Sequence, residues 1–228
     1  ILEFTAEWYK NKSEDLLYGV PVPEQTGVAN TTVTMNAASM ENSGFEFSAT
    51  YRNRDHAFKY DISANLSTLK NKVTSLGFGT KSYITGAYAT YVGQEIGQFY
   101  GWVYKGIART QDDLDNNAVQ QGANIGDCLY EDISGPDGTP DGVIDAYDQT
   151  VLGSGLPKVN FGLSTHMEYK GFDLNISTYG VLNYHVTDDI YNSLNSCYGY
   201  GNKDVAMLDA NRWSEDGSTY LSNVPRTY

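Results

Sequence analysis

The sequence predicts an all-β chain that forms part of a large antiparallel transmembrane β-barrel. Three observations carry that expectation. Two hairpins each pair a wholly apolar face with a polar one, because side chains on a strand project alternately to opposite faces. Their arms match the ~9–11 residues of a membrane-crossing strand. Short turns alternate with long connections along the chain, as in barrels whose two rims differ in loop length.

Taken in order, Leu2, Phe4, Ala6 and Trp8 alternate with Glu3, Thr5, Glu7 and Tyr9. This is a strand with one apolar face, expected to end at Asn11–Asp15. Pro21-Val-Pro23 signals a loop, and residues 24–43 read as a loop or a weak extension of the next strand. Phe45, Phe47, Ala49 and Tyr51 then alternate with Glu46, Ser48, Thr50 and Arg52. After a polar turn at 53–56, the return strand sets Phe58, Tyr60, Ile62, Ala64 and Leu66 against Lys59, Asp61, Ser63, Asn65 and Ser67.

Residues 70–157 form a connection too long to lack structure in a compact domain, and are expected to be a folded extracellular loop. The second hairpin follows. Val159, Phe161, Leu163, Met167 and Tyr169 alternate with Asn160, Gly162, Ser164, His166 and Glu168. Lys170-Gly171 makes a two-residue turn with Gly second. Phe172, Leu174 and Ile176 return against Asp173, Asn175 and Ser177. Residues 181–228 then begin a further extracellular loop containing Tyr184, Tyr191, Tyr198, Tyr200 and Arg212-Trp213.

The net charge is −13 with 19% charged residues, which argues against nucleic acid or an anionic lipid surface as partner, since both need a basic patch. No stretch approaches the ~18 consecutive apolar residues of a transmembrane helix. The mean hydropathy of −0.43 is compatible with a barrel, whose lumen and loops are polar. Nineteen Tyr and 23 Gly against six Pro suit β structure with interfacial aromatics or carbohydrate-facing surfaces. Cys128 and Cys197 are too few for a disulfide framework; they could pair or remain free thiols. The chain opens inside a strand-like run and stops at Val224-Pro-Arg-Thr-Tyr228 without a terminating element, so it reads as a piece of a longer protein.

One loop carries recognisable chemistry. Against a twelve-residue calcium loop, residues 137–148 place Asp137, Thr139, Asp141, Asp145 and Asp148 at positions 1, 3, 5, 9 and 12, with the Val143 carbonyl at 7 and Gly142 at the sharp turn. Ile144 is the apolar residue that would pin the loop to its support. Thr at 3 and Asp at 12 are poorer ligands than usual, and Asp132 stands upstream as a replacement. The expected role is structural, with a Kd on the order of 10⁻⁴–10⁻³ M. A solvated acidic turn is the competing account.

Nothing reads as catalytic. His56, His166 and His185 share no metal-ligand spacing, and no nucleophile elbow, phosphate loop or Cys-x-x-Cys occurs. Acid pairs such as Glu3 and Glu7 share a strand face, whereas glycosidases need two acids flanking a cleft. The substrate-contacting residues are not identifiable from sequence.

Several stretches, in order, resemble the SusC/RagA family of TonB-dependent outer-membrane transporters: Trp8–Leu17, Asn36–Phe47, Val92–Gly101, Asp137–Asp148, Leu152–Lys158, Tyr169–Asp173 and Arg212-Trp213. The insertion around Ser134-Gly-Pro136 departs from the family's compact acidic run. The resemblance implies a C-terminal portion of a 22-stranded barrel in the outer membrane of a Gram-negative bacterium, with residues 1–228 supplying part of the wall and loops, and the plug domain and closing strands lying elsewhere. It also implies TonB as energy source acting through the plug, a SusD-like surface lipoprotein as lid, and import of oligosaccharides or, in some members, peptides. On that reading Glu46, Arg52, Lys59, Asp61 and Asp173 line the lumen, and the aromatics at 45, 47, 58, 161 and 172 face outer-membrane lipid. Tyr and Trp residues of the long loops would contact substrate or lid. The rival expectation is a soluble extracellular carbohydrate-binding β-sandwich with a structural calcium.

Overall fold

A computed structural model describes residues 1–21, 32–77, 79–188 and 213. The chain divides into two compact units, Ile1–Phe99 with Gly153–His185, and Tyr100–Leu152 with Val186–Tyr228.

The first unit is built on one antiparallel sheet. Its strands are β1 (Leu2–Pro21), β2 (Thr32–Asn53), β3 (Phe58–Thr68), β4 (Lys70–Ser75), β11 (Val159–Tyr169) and β12 (Phe172–Leu182). The order is β1-β2-β3-β11-β12, and β4 continues along the edge of β2 past the end of β3. The β11–β12 hairpin forms as its sequence predicts, with Tyr169 opposite Phe172. Lys170 and Gly171 both take positive φ, 48° and 85°, the requirement of a type I′ turn. The β2–β3 turn closes at the same end of the sheet, since Tyr169 also faces Phe58.

Two strands are longer than expected. β1 does not stop at Asn11–Asp15: Asp15 takes φ 54° and the register shifts between Ser13 and Leu16. One residue in left-handed conformation absorbs the polar run as a bulge, and pairing resumes. Residues from Thr32 onward are likewise strand, paired with β1 and, at Ser39–Ser43, with β4.

Register places every apolar run on one face. Phe4, Ala49, Ala64, Leu163 and Thr178 form one row across the sheet; Ala6, Phe47, Leu66, Phe161 and Gly180 form the next on that face. Aromatics gather in two bands on this face. Tyr51, Phe58, Tyr60, Tyr169 and Phe172 lie near the turns, and Trp8, Phe45, Phe47 and Phe161 towards the other end, with Ala49, Ala64, Leu163 and Ile176 between. Ring centroids in the turn-side band lie 5.6 Å (Phe58–Tyr60) and 5.8 Å (Tyr51–Tyr60) apart. The eleven residues of β11 extend ~33 Å at ~3.3 Å each, which a barrel tilt reduces to about 25 Å, the height of an outer-membrane apolar band.

This face is exposed. Phe4 is 68%, Trp8 60%, Leu163 47% and Leu174 52% accessible. A β-sandwich buries such faces against each other, and a soluble monomer rarely leaves so large an apolar patch open. The sandwich expectation therefore gives way: the first unit buries its hydrophobic cluster at the extended ends of β1 and β2. There Val20, Ala37, Ala38, Val73, Leu76 and Tyr83 pack together. Tyr83 stacks on Tyr18 at 5.5 Å and donates to the Leu76 carbonyl at 3.1 Å.

Residues 70–157 contain short strands of three sheets. β4 lengthens the large sheet, and β5 (Ser82–Thr85), β6 (Tyr88–Tyr91), β7 (Gln98–Gly101) and β10 (Thr150–Ser154) make a second, four-stranded one. The second unit pairs β8 (Tyr104–Ile107) with β9 (Cys128–Tyr130), adds the one-turn helix α1 (Gln111–Asp115), and ends its acidic segment in a 3₁₀ turn, Ala146–Asp148. No described helix is long and apolar enough to cross a membrane.

Candidate functional site

The polar face of the large sheet gathers residues from five of its six strands. Register sets Glu3 opposite Thr50, which faces Ser63, then Ser164 and Ser177. A neighbouring row runs Arg52, Asp61, His166 and Asn175, and the last runs Lys59, Glu168 and Asp173. Glu46, Arg52, Lys59, Asp61 and Asp173 thus share one face, opposite the exposed aromatics at 45, 47, 58, 161 and 172.

Ion pairs tie this face together. Arg52 Nη1 meets Glu3 Oε1 at 2.8 Å, Lys59 Nζ meets Glu168 Oε1 at 3.0 Å, and Arg54 pairs with Asp61. Between them run neutral bonds, such as Thr50 to Ser63 at 3.0 Å and His166 Nδ1 to Asn175 Oδ1 at 2.7 Å. Asn65 lies over Gly162: an added Cβ there would come 2.8 Å from Asn65 Oδ1 and push that side chain aside. A shallow groove of about 360 Å³ lies along Thr5, Glu7, Glu46, Ser48, Asn65 and Ser67. A wet lumen accepts full charges that a dry core would not.

The acidic turn keeps parts of the calcium-loop plan. Gly142 has φ 85°. The Ile144 N–H bonds the Val119 carbonyl at 2.9 Å and the Val119 N–H bonds the Gly142 carbonyl at 2.7 Å, so backbone bonds of a short parallel bridge hold the loop. Asp132 folds back onto the loop, accepting from the Gly142 N–H at 2.7 Å and the Asp141 N–H at 3.3 Å.

The carboxylates, however, are spread over backbone donors. Asp148, 0% accessible, accepts on Oδ1 from Ile133 (2.8 Å) and Ser134 (3.1 Å), and on Oδ2 from Asp145 (2.8 Å). Burial pushes its carboxyl up, but those N–H groups and Asp132 outweigh it and hold the group below the usual carboxylate range. Asp145 Oδ1 accepts from Tyr147 N at 2.7 Å and Asp141 Oδ1 from Val143 N at 3.0 Å. Asp137 and Thr139 are exposed at the tip. No three of these acids bring ligand atoms within 4.8 Å of one another; among the described residues only His166, Glu168 and Asp173 do so. Residue spacing gave no hint of that cluster. Hairpin register was the signal, since Glu168 and Asp173 fall opposite each other as soon as Lys170-Gly171 is the turn.

Of the loop aromatics, Trp102 donates from Nε1 to the Asp145 carbonyl at 2.7 Å and lies 5.9 Å from Tyr130, and Tyr147 and Tyr184 are exposed. Trp213 is buried. Cys128 is a free thiol among the described residues, pushed up by burial and by Asp127. Cys197, Tyr191, Tyr198, Tyr200 and Arg212 lie outside the described residues. Lys158, just before β11, pairs with Glu95, and burial lowers its pKa.

No family model matches the chain. In sequence it is 29% identical to TonB-dependent receptor P3 of Formosa agariphila over 236 residues, covering 99% of this chain and 22% of that protein. It is 28% identical to TonB-dependent receptor SusC of Bacteroides thetaiotaomicron over 199 residues, covering 79% of this chain and 18% of that protein. Over nearly its whole length the chain is similar in sequence to TonB-dependent receptors, SusC among them. It spans about a fifth of the length of these curated relatives. Among solved structures, the RagAB peptide transporter superposes with a TM-score of 0.71 at 23% identity, covering 99% of this chain and 23% of that one. The barrel fold of these neighbours is one in which a sheet leaves an apolar face open, as this sheet does.

Proposed function

We propose that this chain is part of the wall and loops of an outer-membrane importer of a Gram-negative bacterium. The importer would take up oligosaccharides, driven by TonB through the plug domain and capped by a SusD-like lipoprotein. The observation that carries the reading is the sheet's exposed apolar face with two aromatic bands, set back to back with a charged face, in a chain related to SusC. Lumen-side residues play a passive part, as polar wall rather than as chemistry. Peptide cargo is the second reading, favoured by the fold shared with the RagAB peptide transporter.

In this scheme Lys170-Gly171 is a periplasmic turn and β11 runs inward from the cell surface. Single-cysteine labelling on whole cells tests the orientation. A thiol at Asn160 should react with a polar maleimide while one at Phe161 stays protected; the reverse pattern refutes it. Affinity purification of the intact receptor, followed by uptake assays with oligosaccharides and peptides in a deletion strain, separates the two cargo classes and shows whether a SusD-like lipoprotein copurifies.

For the acidic turn we infer a structural calcium role. Gly142 at positive φ and the exposed residues Asp137, Thr139, Asp141 and Val143 suit such a loop, but its acids do not converge and would have to draw together around an ion. Asp145 and Asp148 fit it less well, since Asp148 would have to exchange N–H bonds for the ion. Terbium luminescence sensitised by Trp102 and Tyr147 would report the ion. Equal melting in calcium and in chelator, without terbium emission, would remove it.

A further inference from the structure

We propose that His166, Glu168 and Asp173 form a zinc-type divalent metal site on the polar face beside the Lys170-Gly171 turn. Glu168 lies directly opposite Asp173, and His166 lies two residues from Glu168 on the same face of β11. One donor atom from each of the three falls within 4.8 Å of the others. An imidazole with two carboxylates is a borderline donor set suited to Zn²⁺, and three protein ligands leave a position open to water.

Two further features support a cation here. His166 Nδ1 lies 2.7 Å from the Asn175 amide oxygen; in the neutral tautomer with its proton on Nδ1, that oxygen accepts it and Nε2 is left to bind metal. Such an outer partner fixes the tautomer and orientation of a ligating histidine. Glu168 and Asp173 are also a like-charge cross-strand pair, an arrangement unfavourable without a compensating cation. Lys59 and Arg54 compensate part of it: Lys59 Nζ reaches Glu168 Oε1 at 3.0 Å and Arg54, paired with Asp61, also interacts with Glu168, while Asp173 is exposed. The proposal needs only the hairpin and its neighbour β3, and holds whatever the receptor imports.

The test uses the full-length, untagged receptor in detergent, stripped by chelator and dialysed against Zn²⁺, with bound metal counted by atomic emission. Wild type should lose one equivalent, or bind it more than about tenfold more weakly, on His166→Ala and on Asp173→Asn. Asn175→Ala should weaken it by ~10–100-fold, as removal of an outer partner does, and His56→Ala should change nothing. Co²⁺ loaded in place of Zn²⁺ should give a visible absorption band that His166→Ala abolishes. Heat-modifiable migration on gels shows which variants remain folded barrels; exposed Asp173→Asn decides if His166→Ala does not fold. Equal zinc binding by wild type and folded Asp173→Asn, or no equivalent bound by wild type, would overturn the proposal.

Discussion

Leu163 sits near the middle of β11 on the apolar face, between Ala64 and Thr178, and is 47% accessible. Its neighbour Ser164 occupies the same level on the polar face. Arginine at position 163 separates a lipid-facing wall from a water-facing one. At the midplane of an outer-membrane barrel an outward Arg costs about 2–4 kcal/mol. At ~1.4 kcal/mol per tenfold, that lowers the folded-to-unfolded ratio by roughly 30- to 700-fold. On a half-exposed aqueous surface the same change would fall within about 0.5 kcal/mol of zero. The assay is denaturant unfolding of the full receptor in phospholipid vesicles, followed by tryptophan fluorescence and gel migration, with Ser164→Arg as the matched control. Leu163→Arg should be the less stable by about 2 kcal/mol or more. Equal stability of the two variants would refute the assignment of faces.

Gly44→Ala should disrupt the handover from β3 to β4 along β2. Its Cβ would lie 1.9 Å from the Thr68 carbonyl oxygen, which Tyr9 Oη also uses at 3.1 Å, and the expected loss is about 1–3 kcal/mol in the same unfolding assay. Gly171→Val forces a β-branched residue to φ 85° and should destabilise the hairpin by ~1–3 kcal/mol, slowing assembly of the heat-resistant form. Asp148→Asn removes the charge from three N–H bonds and should destabilise the second unit by about 1.5–3 kcal/mol. Because the folded pKa of Asp148 is depressed, its contribution is present above the unfolded value of ~3.9 and is lost as pH falls through the folded one. Wild type should therefore lose its advantage over Asp148→Asn in acid, as melting curves between neutral pH and pH 3 would show.

Most of the large sheet was legible because alternation is a local property. Phe58–Leu66 and Val159–Tyr169 declare their faces residue by residue, and Lys170-Gly171 can hardly be anything but a tight turn. Asn11–Asp15 misled for an equally local reason. A polar run ending in Asp looks like a stop, whereas a single left-handed Asp15 turns it into a bulge because β2 continues alongside to supply partners. The segment 70–157 was opaque because its strands are three to six residues long, too short for a period to show.

The acidic turn shows the division most clearly. Its composition and the positive φ of Gly142 follow from Asp-Gly pairs in sequence, but a carboxylate is equally suited to a cation and to a backbone N–H. Only folding, which brings Ile133, Ser134 and Asp145 around Asp148, decides where its oxygens go. By itself, then, the sequence determined which side of each strand is oily, where the hairpins turn and which family the chain resembles. The tertiary structure decided that β3 lies beside β11 despite the long connection between them, that the oily side stays uncovered, and that His166, Glu168 and Asp173 converge. Alternation needs only neighbours along the chain, whereas pairing, exposure and convergence depend on residues that approach through space.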